Sequence, residues 1–251
     1  MSNDAEKERQ PGGEPTIIEE MVQREAEERS YLKANRRWLI VSYYTMGTEY
    51  REEARGLIES CEKFKLNYYV KGVANLGHWL ANVRWRPVFM RRMLDKFPDF
   101  SIVWIDADGR VREDPVLFDE LETADFDLAV HYRRGVELLG GTMWVRNSGR
   151  ARELINLWEE KGEQNVYEKE QVNLQIVLRE NPRFRVLDLP PKYCLIFDTM
   201  RAFGPPVIEH LQASRRLKKT ISDQRERFVR RTYAHWMKRR MLRTSELKGA
   251  K

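Results

Sequence analysis

Apolar positions along the chain switch repeatedly between two periods. Arg37–Thr45 contains WLIVSYYT, rich in β-branched and aromatic residues, and predicts a buried strand. From Glu49 to Phe64 the spacing becomes helical, with Ala54, Leu57, Ile58, Cys61 and Phe64 on one side. Asn67–Val73 predicts a second strand. Trp85–Phe97 predicts a helix with Pro87 in its first turn, where a missing N–H costs little. Ser101–Ile105 is a short strand, apolar after its serine, that runs straight into acid, and Phe126–Tyr132 and Leu138–Val145 are two more strands. Asn147-Ser148 offers N-cap chemistry for a helix through about Lys161, and a further helix fits Glu168–Arg179. Phe184–Leu189 and Tyr193–Phe197 read as late strands. Strands alternating with helices predict an α/β domain with a mostly parallel central sheet flanked by helices. Ligands of such sheets sit beyond the carboxyl ends of the strands, so polar residues at those ends are where chemistry is expected.

Composition narrows the class. The chain has 251 residues, and 41% are hydrophobic, enough for a substantial core. No stretch approaches the ~18 consecutive apolar residues of a membrane span. The acidic N-terminus lacks the apolar centre of a secretory signal. Two cysteines, Cys61 and Cys194, allow neither a disulfide framework nor a four-cysteine zinc site. A cytoplasmic protein is expected.

Charge then divides the chain. The net +6 is the sum of an acidic start, a neutral middle and a basic end: residues 1–30 carry −5, residues 31–212 carry zero and residues 213–251 carry +11. This predicts an acidic, partly disordered arm over 1–30, a central domain over 31–220 and a basic helical tail over 221–251. Within the arm, disorder is expected to about residue 16, and 17–35 could form a charged helix. In the tail, Phe228, Val229, Thr232, Trp236 and Leu242 cluster at helical spacing. Three readings stay open there: a helix packed on the domain, a nucleic-acid contact with Tyr233 and Trp236 stacking on bases, or an anionic membrane surface.

The sharpest local feature is SIVWIDADGRVREDP. In an extended backbone, residues two apart share a face, so Asp106 and Asp108 would converge at the open end of the strand before them. Two carboxylates that close repel unless something positive lies between them, and a hard divalent cation is the usual partner. D-x-D-G is also ordinary turn chemistry, so a polar turn remains an equal reading even with the buried strand before it.

With its acid pair in the string VWIDADGRVREDP, the chain resembles nucleotide-sugar glycosyltransferases of the GT-A fold over about residues 37–219. Asp106 and Asp108 match that family's D-x-D motif. Upstream, Ser42-Tyr43-Tyr44-Thr45 is similar to the segment that holds the nucleotide base, and Arg84-Trp85-Arg86-Pro87 resembles a Lys-Pro element with Arg86 in place of Lys. Downstream, Leu139-Gly140-Gly141-Thr142 resembles the strand beside the sugar, and Trp158-Glu159 with Glu170-Gln171-Val172-Asn173-Leu174 resembles a W…DQ..LN pattern with Glu170 in place of Asp. The stretch Val207–Lys219 resembles the C-terminal segment in which a histidine, here His210, completes the metal site and Ser214, Arg215 and Lys218 face the diphosphate.

The resemblance implies transfer of a sugar from a nucleoside-diphosphate sugar, UDP favoured, with Mn²⁺ or Mg²⁺ held by Asp106, Asp108 and His210. It implies donor contacts from Ser42, Tyr43, Tyr44, Thr45, Arg86, Asp106, Gly141, Thr142, Gln171, Ser214, Arg215 and Lys218. Glu170, with Glu168 behind it, is the candidate base if the reaction inverts, and positions the sugar if it retains configuration. The acceptor stays open, with a hydroxylated DNA base or a glycan as candidates. Two other classes stand beside this one: a nucleotidyltransferase that makes sugar nucleotides, and a non-catalytic nucleic-acid-binding protein.

Overall fold

The computed structural model of the chain describes residues 27–77, 79–200 and 203–218, with side chains through Arg215. The start of the acidic arm, His78, the basic tail and its expected helix lie outside the described residues, as does the side chain of Lys218. In chain order, β1 is Glu28–Tyr31, β2 Trp38–Thr45, α1 Tyr50–Lys63, β3 Tyr68–Val73, α2 Trp79–Arg84, α3 Arg86–Lys96 and β4 Ser101–Ile105. There follow β5 Gly109–Val111, α4 Leu117–Leu121, β6 Leu128–Arg133, β7 Glu137–Val145, α5 Gly149–Gln164 and α6 Glu170–Glu180. The described chain ends with β8 Val186–Asp188, a 3₁₀ turn Pro191–Tyr193, β9 Leu195–Ile196, β10 Ile208–His210 and α7 Ala213–Lys218.

Seven strands form the central sheet in the order β1-β3-β2-β4-β7-β6-β8. β2, β3 and β4 are parallel; β7 runs antiparallel to both β4 and β6, and β8 is parallel to β6. Five strands therefore share one direction, while β7 and the edge strand β1 oppose it. Every residue of β2 and β4 is buried because both faces of the sheet are covered, which is why these strands read as continuous apolar runs. Alternate residues feed two cores. Leu39, Val41, Ile102 and Trp104 pack with residues of α3, α5 and α6 on one face; Trp38, Ile40, Val103 and Ile105 pack with residues of α1 and α4 on the other.

Three sequence expectations shift. The charged helix drawn over 17–35 is, within its described part, the strand β1, whose register sets Glu28 opposite Lys71; Glu28 also accepts from the Tyr69 hydroxyl at 2.6 Å. These cross-strand partners outweigh the helical preference of a charged stretch. The helix from Trp85 is preceded by the separate α2, and the last strands shrink to short pieces around a 3₁₀ turn. Ser148 caps α5 as expected, its hydroxyl accepting from Ala151 N–H at 3.2 Å. Among the described residues, no helix is long and apolar enough to cross a membrane.

A three-stranded second sheet, β5-β10-β9, decides where the C-terminal segment goes. β10 pairs antiparallel with β5, setting His210 opposite Gly109, immediately after the acid pair. Residues about a hundred positions apart thus meet at the carboxyl edge of β4.

Candidate active site

β4 stops at Ile105, and the next residues turn: Gly109 N–H donates to the Asp106 carbonyl at 2.7 Å. Asp106 and Asp108 converge through this turn rather than by strand alternation, so the polar turn and the acid pair are the same feature. The turn is anchored on both sides. Asp106 N–H donates to the Gly141 carbonyl at 2.9 Å, and Leu211 N–H donates to the Asp108 carbonyl at 3.1 Å. Asp108 Oδ2 also accepts from Ala213 N–H at 2.6 Å, which ties the acid pair to the segment carrying His210.

The best ligand atoms of Asp106, Asp108 and His210 all lie within 4.8 Å of one another. Atoms ~2.2 Å from one ion lie within about 4.4 Å of each other, so a shift of a few tenths of an ångström would close a coordination shell. His210 Nδ1 is buried, makes no hydrogen bond and stands 3.9 Å from Asp108 Oδ1. Two carboxylates and an imidazole with a free nitrogen suit a divalent cation.

Arg86 is the other centre of charge. It is buried, donates to Asp106 Oδ1 at 2.7 Å and to the Gly140 carbonyl at 2.8 Å, and pairs with Glu170 Oε1 at 2.9 Å. Its guanidinium stands 4.8 Å from the centre of the Trp104 ring, and Trp104 Nε1 donates to the same Asp106 oxygen at 2.8 Å. A Cβ on Gly140 would stand 2.5 Å from Arg86 Nη1, so a side chain there would displace the guanidinium.

The environment separates these groups by acidity. Asp106 is raised by burial and by neighbouring Asp108, against the pull of Arg86. Burial acts on Asp108 in the same direction, but His210 and the Ala213 N–H outweigh it and hold its pKa low. Burial raises Glu170 even though Arg86 opposes it. Burial alone would deprotonate His210; the Cys194 sulfur, Asp108 and Asp106 outweigh it and hold the imidazole up at about 10. A cation at this corner would replace that proton, because ligation needs the neutral ring.

An open cleft of about 350 Å³ lies over this corner. Tyr43, Tyr44, Thr45, Arg86, Asp106, Asp108, Glu170, Gln171, Ser214 and Arg215 all line it. Arg215 reaches it while also bonding Asp198 at 2.8 Å. Four expected residues do not line it. Ser42 is buried inside the sheet, its hydroxyl without a hydrogen-bond partner. Gly141, Thr142 and His210 lie beneath the floor, where Thr142 Oγ1 meets His210 Nε2 at 2.8 Å. Glu168 is exposed and faces elsewhere. The motifs missed Tyr50, Trp79, Asn82, Arg133, Glu137 and Lys169 on the cleft wall. Lys169 directly precedes Glu170 and could have been read from it; the others come from α1, α2 and the β6–β7 hairpin and carry no local pattern.

A mostly parallel sheet thus carries an acid pair at the end of its central strand, with a histidine returned from a second sheet. A glycosyltransferase involved in the glycosylation of the major capsid of PBCV-1 has a TM-score of 0.57 to this chain at 18% identity, covering 71% of this chain and 96% of its own. The glycosyltransferase GlyE of Streptococcus pneumoniae TIGR4 gives 0.47 at 16% identity, covering 69% of this chain and 54% of its own. No protein-family model matches the chain, and no curated protein sequence does. The fold is that of the GT-A glycosyltransferases, with a central sheet flanked by helices.

Proposed function

We infer that the chain is a metal-dependent glycosyltransferase that moves a sugar from a nucleoside-diphosphate sugar to an acceptor hydroxyl. The observation that carries this reading is the meeting of Asp106, Asp108 and the unpartnered His210 Nδ1 under a cleft at the carboxyl edge of β4. Breaking the anomeric bond leaves negative charge on the departing diphosphate, so stabilising that charge is the main task. A divalent ion, Mn²⁺ or Mg²⁺, supplies Lewis acidity at that diphosphate when bound. Asp106, Asp108 and His210 would hold it, and the imidazole favours Mn²⁺.

The remaining residues bind and orient. Tyr43, Tyr44 and Thr45 form the wall suited to the base, with UDP the favoured donor nucleotide. Arg215 and Ser214, on the cleft wall, would face the diphosphate. Arg86 holds Asp106 by a charge-assisted bond and so fixes the acid pair. Glu170, locked against Arg86, is the candidate base for an inverting reaction. The acceptor hydroxyl belongs to a glycan or a hydroxylated DNA base, and the basic tail is the segment suited to DNA or an anionic surface.

Calorimetric titration of UDP, GDP and ADP with and without Mn²⁺ tests the reading. UDP binding that requires Mn²⁺, and is lost in Asp108→Asn, is the expected result. Absence of nucleotide binding under every condition would overturn it.

A further inference from the structure

A histidine ligates a cation only through a nitrogen that carries no proton, so the tautomer of a buried imidazole decides whether it can serve. Three features fix the ring of His210. Its Nε2 lies 2.8 Å from Thr142 Oγ1. Its Nδ1, the nitrogen toward Asp108, is buried with no hydrogen-bond partner. Its face rests on Gly141, where an added Cβ would stand 3.0 Å from Cε1, 3.1 Å from Nε2 and 3.2 Å from Nδ1. Near-equal distances to three ring atoms mean that a Cβ at 141 would require the imidazole as a whole to give by a few tenths of an ångström.

Thr142 sits fully buried on β7, opposite Ile105 of β4. Valine would fill the same volume in a strand, whereas a buried hydroxyl without a partner costs stability. The hydroxyl has its partner in the imidazole. A threonine oxygen accepts as well as donates, so it can take the Nε2–H bond. The Cys194 sulfur also faces the ring, but a thiol is a weak acceptor and a poor substitute.

We propose that Thr142 is the positioning residue of the metal corner: its Oγ1 accepts the Nε2–H of His210, leaving Nδ1 bare and aimed at Asp106 and Asp108, with Gly141 as the floor under the ring. The inference rests on the metal reading above and assigns the ligating atom within it. Partners of this kind hold ligand orientation, and their loss typically weakens metal binding about 10–100-fold.

The test is Mn²⁺ binding followed by the loss of the free-ion paramagnetic resonance signal, in wild type, Thr142→Val, Thr142→Ser, Gly141→Ala and His210→Ala, with thermal unfolding recorded for each. Thr142→Val should bind Mn²⁺ about 10–100-fold more weakly, Thr142→Ser should bind as wild type does, and Gly141→Ala should be weakened. Wild-type affinity in Thr142→Val, or equal weakness in the serine variant, would overturn the role of the hydroxyl. Should the valine variant not fold, the serine variant is set against Thr142→Ala under the same criteria. Wild type binding no better than His210→Ala would overturn the metal reading itself, a result distinct from a failure confined to Thr142.

Discussion

Two charged clusters are built into the two ends of the same sheet, and they are finished differently. At the amino end of β6, Asp127 is fully buried, and both its oxygens accept from Arg150 Nε at 2.6 and 2.7 Å. Arg185 N–H adds a bond at 2.8 Å, and the Asp127 carbonyl accepts from Arg146 N–H at 3.1 Å. At the carboxyl end, Asp106, Asp108, Glu170, Arg86 and His210 are as crowded, yet Arg86 Nε and His210 Nδ1 are buried with no hydrogen-bond partner. Buried polar groups are normally satisfied, so a group left short marks either a cost or a use. The Asp127 cluster is a clamp that joins β6, α5 and the start of β8. The other gathers two carboxylates and an unpartnered imidazole nitrogen beneath a cleft, where the proposed function puts its cation.

Substituting one member of each cluster separates the two roles. The largest effect is expected from Glu170→Gln: as a general base its loss should lower turnover about 10²–10⁴-fold, in a side chain whose amide oxygen still offers Arg86 an acceptor. Near-normal turnover would reduce Glu170 to a holder of Arg86. The pH profile sharpens the point. Burial raises the Glu170 pKa above the ordinary carboxylate value, and a base must be ionised. Activity should therefore fall, as pH is lowered, at a higher pH than an exposed glutamate would give, and this acid limb should vanish in Glu170→Gln.

The opposite result is expected at the other cluster. Asp127→Ala removes the acceptor of Arg150 Nε and of Arg185 N–H, leaves the half-exposed Arg150 paired with Asp125, and should cost about 1–3 kcal/mol of stability in denaturant unfolding, while the folded fraction keeps its nucleotide affinity. Equal loss of affinity there would erase the contrast. Gly140→Ala should lie between, because a methyl 2.5 Å from Arg86 Nη1 disturbs the carboxyl-end cluster by overpacking. About 1–3 kcal/mol of destabilisation is expected, with weaker metal-dependent nucleotide binding in the same titration. The smallest effect belongs to neither cluster: Ser148→Ala removes the cap of α5 and should cost about 1 kcal/mol without touching binding.

How much could be read in advance follows from how local each signal is. β2 and β4 were legible because a strand covered on both faces is mostly apolar, and α5 because its cap and apolar spacing are contiguous. The acid pair was legible because both carboxylates lie within three residues. β1 was not, since its strand state depends on pairing with β3, some forty positions on. Ser42 was linked to the nucleotide base by resemblance, whereas its side chain is buried within β2 and does not line the cleft. Thr142 and Gly141 were linked to the sugar by resemblance, whereas their packing puts them under His210.

By itself, then, the sequence determined the α/β alternation, the acid pair after a buried strand and the set of residue types able to hold a cation. Those follow from propensity, periodicity and short-range geometry. Only the tertiary structure decided that β10 returns beside β5, that Arg86 spans Asp106 and Glu170, and which nitrogen of His210 faces the carboxylates. These depend on contacts between residues up to about a hundred positions apart, whose pairing is set by sheet register and core packing and leaves no periodic trace in the chain.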